Sequence, residues 1–168
     1  MKLPSRDGAG VELRPVRYQF PSIRPRVSPR KASEERDWDA NWLIVRGDVR
    51  MVDGRRWSFE DPCLTTWEAS ELADWLRRVA SGHVPPSPPG DIEKLFTEPN
   101  VAFSLEGRDD GRVRLRVHLS LEALPPWSRD SADRPEVLAF FVVVDLSTQE
   151  LTTAASEWTV ELAPFAER

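Results

Sequence analysis

Residues that do chemistry are scarce in this sequence. One cysteine, Cys63, and two histidines, His83 and His118, occur in 168 residues. A lone cysteine excludes an intramolecular disulfide, which fits a reducing cytoplasm better than secretion. A triad-type catalyst needs a nucleophile beside a histidine, and neither histidine is well placed for that. His83 stands at the mouth of a proline-rich stretch that cannot hold geometry, and His118 falls on the wet face of an alternating strand among arginines, the place of a solvated surface histidine. Cys63 precedes a predicted helix start, where a thiol pKa can be lowered, but a buried structural cysteine is the stronger reading. A Gly-rich phosphate loop, a Cys/His zinc pattern and a dinucleotide fingerprint are all missing, so no cofactor is expected. No apolar run approaches the roughly 20 residues that span a bilayer, and the leading MKLPSRDGAG has no signal-peptide core. A cytoplasmic protein without enzymatic activity is the expectation.

The charge present is unevenly spread. The net charge is −5, yet residues 1 to 37 hold nine Lys/Arg against five Asp/Glu, and the remainder is acidic. Nucleic-acid affinity rests on clustered positive charge, so an acidic body argues against it and favours a basic protein partner.

The densest structural instructions lie between Asp37 and Leu76. Leu43, Val45, Val49 and Met51 share one face of an extended segment, with Arg46, Asp48 and Arg50 on the other. Asp53-Gly54 supplies the positive dihedrals of a hairpin turn, and Trp57 and Phe59 alternate with Ser58 and Glu60 on the return. Asp61-Pro62 is expected to break that strand, because proline lacks the amide hydrogen. Thr65 with Glu68 then forms a capping box, and Leu72, Trp75, Leu76 and Val79 mark the buried stripe of a helix that Gly82 stops. This helix is expected on the apolar face of the hairpin.

The flanks follow the same logic. Val11 to Phe20 reads as a strand that Pro15 confines to an edge or interrupts with a bulge. Residues 1–10 and 21–36 are expected to be mobile, and HVPPSPPG at 83–90 to be an extended surface spacer. Asp91 is placed to cap a short turn through Ile92, Leu95 and Phe96. Val101, Phe103 and Leu105 begin a strand that turns at Asp109-Asp110-Gly111 and returns with Val113, Leu115, Val117 and Leu119 inward and Arg112, Arg114, Arg116 and His118 outward. Val137 to Val144 is almost wholly apolar and reads as a central strand covered on both faces. Ser147 and Glu150 repeat the capping box, opening a helix with Leu151, Ala154, Ala155, Trp158 and Leu162 on one face. The chain as a whole, residues 1–168, reads as a single α+β domain: an antiparallel sheet of two hairpins plus edge and central strands, with two amphipathic helices packed on it.

Asp37, Asp39, Glu60 and Asp61 sit near the entrance and exit of the first hairpin, where they could converge on a hard cation. Their spacing matches no calcium loop, so capping or solvation is the better reading and no metal is expected. Seven tryptophans invite a stacking surface. Trp57, Trp75 and Trp158 fit predicted core faces, whereas Trp38, Trp42 and Trp127 fit buried anchors or interface residues equally well.

A family resemblance runs through DANWL (Asp39 to Leu43), then Trp57 to Glu68 with its DPCLTTWE, and LADWL (Leu72 to Leu76). It continues through YQFP (Tyr18 to Pro21), FTEPNVAF (Phe96 to Phe103) and PFAER (Pro164 to Arg168). In these the chain resembles the WapI-like immunity proteins of bacteria, over nearly its whole length. The resemblance implies a partner that binds and neutralises the toxin domain of a polymorphic or contact-dependent toxin, in relatives a nuclease acting on RNA. Asp37, Trp38, Asp39, Glu60 and Asp61 are then candidates for the surface that meets a basic toxin domain, while Asn41, Trp42 and Pro62 look like fold determinants. Two alternatives remain: a nucleic-acid-binding module using the basic leader and the Arg112, Arg114 and Arg116 stripe, and a carboxylate-metal hydrolase. Cross-strand pairing of that stripe with Glu106 or another acidic side chain is the blander reading.

Overall fold

The computed structural model describes residues 1–21, 37–88, 90–129 and 131–168. Alternating apolar and polar residues make two antiparallel sheets, not one. The first has the order β1 (Lys2–Pro4), β2 (Gly10–Tyr18), β3 (Trp42–Arg50), β4 (Arg56–Thr65). The second has the order β5 (Val101–Asp109), β6 (Arg112–Leu119), β7 (Phe141–Ser147). A single helical turn, α1 (Trp38–Asn41), leads into β3; α2 (Thr66–Ala80) follows β4, α3 (Pro126–Arg129) lies in the connection after β6, and α4 (Thr148–Leu162) follows β7. The fold is α+β.

Both long helices start as their sequences dictate. Thr65 and Glu68 form a complete capping box at the head of α2, and Ser147 and Glu150 form another at the head of α4. Gly82, at φ 83°, takes the left-handed conformation just past α2 that a Cβ would oppose. Leu72, Trp75, Leu76 and Val79 are buried on α2, and Leu151, Ala154, Ala155 and Trp158 on α4. The two helices pack on each other, where Trp158 Nε1 donates to the carbonyl of Ala69 at 2.8 Å. Together with the inner faces of both sheets they form one apolar core.

The sheets meet along two seams. On one side the segment after β1 is hydrogen-bonded to β7: Asp145 N donates to Ser5 Oγ at 3.0 Å and Arg6 N to the Asp145 carbonyl at 3.2 Å. Asp145 is clamped there by Arg6 at 2.8 Å and Arg112 at 2.7 Å. On the other side Trp57 Nε1 reaches from β4 to the carbonyl of Ala123 at 2.9 Å.

Several expectations need correction. Residues 1–10 are built into the fold, with Met1 and Leu3 buried and β1 paired to β2, because two apolar side chains find slots in the core. Pro62 does not end β4. Ile44 pairs with Pro62 and Leu43 with Leu64, so Cys63 is the extra residue of a bulge on an edge strand, where a missing donor is tolerated. Pro15 acts as foreseen through a register shift between Pro15 and Arg17. The segment from Asp91 forms no helical turn; Lys94 instead bridges to Phe103. The apolar run 137–144 is not a central strand: β7 begins at Phe141, lies at the sheet edge, and leaves Val137 exposed beyond Leu138, whose φ is 68°. Within 83–90, Val84 is buried and Ser87 N bonds the Leu105 carbonyl at 2.7 Å, so the spacer is pinned at two points. Residues 22–36, most of the segment expected to be mobile, lie outside the described residues, as does Pro89.

Candidate partner-binding surface

Asp37 is the N-cap of α1. Its Oδ1 accepts from Ala40 N at 3.2 Å and its carbonyl accepts from Asn41 Nδ2 at 2.8 Å, so it holds structure first. The two residues it presents, Trp38 and Asp39, are exposed, and Trp38 rests edge-on against Trp67 with ring centres 4.9 Å apart. Behind them Asn41 is fully buried and fully used. Besides Asp37, its Nδ2 donates to the Arg168 carbonyl at 2.9 Å, and its Oδ1 accepts from Thr66 Oγ1 and from Arg168 N, both at 2.9 Å. It ties α1 to α2 and to residue 168, the role of a fold determinant.

Glu60 and Asp61 are neighbours in β4 and therefore point to opposite faces. Glu60 lies on the solvent face of the first sheet, 3.4 Å from Arg17. Asp61 turns toward the second sheet, where Asn100 Nδ2 bridges it at 3.0 Å to Glu122 at 3.2 Å. Burial pushes the Asp61 carboxyl up from its ordinary pKa, and the charges of Glu122 and Glu98 push it further. The proposed residues thus divide into an α1 group of Asp37, Trp38 and Asp39, a Glu60 tied to Arg17, and an Asp61 that joins Glu98 and Glu122. No group of carboxylates, histidines or cysteine able to hold a metal ion occurs among the described residues.

The Asp61, Glu98 and Glu122 grouping escaped the sequence reading because its members come from three segments that meet only once the sheets dock. Beside it Trp127 is 40% exposed, edge-on to Trp57 at 5.4 Å, with the Arg55 guanidinium 4.8 Å from its ring centre. Trp127 thus packs one face inward and leaves part of its ring at the surface.

The histidine reading is corrected as well. His118 is 5% exposed. Its Nδ1 lies 2.8 Å from the Leu138 carbonyl, which can only accept, so Nδ1 carries the proton and Nε2 accepts from Ser104 Oγ at 2.9 Å. Burial pushes the imidazole pKa down. Ser104 is 1% exposed, so the pair is shaped as an internal clamp with no approach for a substrate. Cys63 is buried, and burial followed by the Asp61 charge pushes its thiol pKa up, the reverse of an activated nucleophile.

The arginine stripe of β6 pairs across the sheet. Arg112 meets Asp145 at 2.7 Å, while Arg114 and Arg116 share Glu106 at 3.0 and 3.2 Å. Most of the basic leader lies outside the described residues. No helix among the described residues is long and apolar enough to cross a membrane.

A family model described as the Immunity protein WapI-like family matches residues 2–166. No match was found among the curated proteins or the solved structures compared. Coverage of nearly the whole chain shows that it belongs to the WapI-like immunity protein family.

Proposed function

We propose that this protein binds and neutralises the toxin domain of a polymorphic, contact-dependent bacterial toxin in the cytoplasm, by protein contact alone. Family membership across residues 2–166 is the observation that carries the reading. An RNA-cutting toxin domain is the favoured target. Such a domain needs positive charge to hold phosphates, and an acidic partner is steered onto that surface and covers the substrate's approach. Trp38 and Asp39 lead the proposed contact, with Asp37 shaping the turn that presents them. Asp61 adds negative charge in company with Glu98 and Glu122, and Glu60, already paired with Arg17, adds least. An exposed tryptophan beside a carboxylate is the kind of anchor from which interfaces of about 1,200–2,000 Å² draw much of their energy.

The test is a pull-down with the intact chain from the source cell's lysate and secreted fraction, followed by mass spectrometry. Capture of the C-terminal piece of a large secreted protein, whose toxicity on expression is suppressed by this chain, supports the reading. Failure of the chain to suppress that toxicity overturns it. Asp39→Lys should then slow association at least tenfold at low salt; unchanged kinetics would remove α1 from the proposed contact.

A further inference from the structure

Both sheets carry arginine on their solvent faces, but they dispose of the charge differently. On the second sheet each arginine of the stripe has a carboxylate. On the first sheet the register puts Lys2, Arg14, Arg17, Arg46, Arg50 and Arg56 on the solvent side, against Glu12, Asp48 and Glu60. Those carboxylates are taken. Glu12 pairs with Arg14 at 2.7 Å, Asp48 with Arg46 at 3.0 Å and Glu60 with Arg17 at 3.4 Å. Arg50 and Arg56 have no ion-pair partner among the described residues, although they are exposed and directly opposite each other across the β3–β4 ladder. Like charges so placed work against folding, a local penalty that an incoming anion relieves.

The backbone beside them leaves room for one. In the same row the next strand carries Gly10, and a groove of about 590 Å³ lies along this face, lined by Arg50, Arg56, Pro4, Lys2, Glu12 and Ser58. We propose that this face docks an acidic segment of a protein, with carboxylates seated on Arg50 and Arg56. The occupant's class follows from charge complementarity. A phosphodiester chain crossing the groove would run over Glu12 and Asp48, and the rows around the arginine pair place no aromatic ring on the solvent side, since Trp57 points inward at 8% exposure. A protein segment can place its carboxylates on the arginines and neutral residues over Glu12 and Asp48. This inference does not rest on the toxin reading.

Fluorescence anisotropy of the intact chain with a labelled peptide of alternating glutamate and serine, and with a single-stranded RNA of equal charge, tests it across a salt series. The peptide should bind saturably and weaken with salt, and R50S/R56S should weaken it at least tenfold. R78S/R134S removes the same charge from exposed positions elsewhere and should leave it unchanged. No saturable binding, equal losses in the two double variants, or tighter binding of the RNA through the same arginines would each overturn the proposal. Thermal melts of both variants confirm that these exposed substitutions leave the fold intact. Toxin capture is read separately, so either idea can fail alone.

Discussion

At residue scale, single side chains carry more than their position in the sequence announces. Gly47 lies opposite Phe59, whose ring covers it so closely that a Cβ would overlap Cε1 and Cζ. Gly47→Ala should therefore cost about 1–3 kcal/mol in urea unfolding, by overpacking, and Phe59→Leu should relieve part of that in the double variant. Asp61 works the other way. Its folded pKa is raised, so the stability its protonated form contributes is present below the unfolded value of about 3.9 and lost as pH rises through the folded one. Asp61→Asn should raise the melting temperature at pH 7 and leave it unchanged near pH 3. A stabilised variant that also binds toxin less well would identify the carboxylate as kept for binding. For His118 the sign reverses: its folded pKa is depressed, so stability falls as pH drops from the unfolded value of about 6.5 through the folded one. His118→Gln should flatten that part of the pH–stability curve. Alternation along β6 put His118 on the outer face correctly. What it could not show is that Leu138, from a distant connection, lies over that face.

At the scale of elements, local chemistry decides where helices begin and a distant contact decides how much each beginning matters. The two capping boxes were legible from Thr65-x-x-Glu68 and Ser147-x-x-Glu150, as was the hairpin turn at Asp53-Gly54. They are not equivalent. Thr65 is buried, and Glu68 also accepts from Thr97 N at 2.7 Å, whereas the Ser147 box is exposed. Thr65→Ala should cost about 1–2 kcal/mol and Ser147→Ala about 0.5–1, compared by chemical denaturation. The misplaced element was β7. An apolar run states that residues are fit for burial, but not which of them the neighbouring strand reaches, and the register His118↔Phe141 starts β7 four residues after Val137. Pro62 misled for a related reason: a bulge at Cys63 is a property of two paired strands, and only one of them contains the proline.

At the scale of the whole molecule, the seams between the sheets hold distant parts of the chain together. Asp145, mostly buried between Arg6 and Arg112, is the hinge of one seam. Asp145→Asn weakens both ion pairs and should cost about 1.5–3 kcal/mol. It should also speed hydrogen exchange at Leu3 and Ser5 more than at Val45, because β1 is held from outside by that seam while β3 lies between two strands. None of this was legible beforehand, since sheet docking depends on contacts between residues far apart in the chain, 140 apart for Ser5 and Asp145 and 66 for Trp57 and Ala123. The same limit hid the meeting of Asp61, Glu98 and Glu122.

Asn41 bonds both backbone groups of Arg168, and Trp158 fills the space beside Ala69. The α1 turn that presents Trp38 and Asp39 is therefore seated on two distant parts of the chain at once, the head of α2 at Thr66 and Trp67 and the segment at Arg168. Loosening of the segment at Arg168 would be felt at Trp38 and Asp39 without either residue being touched.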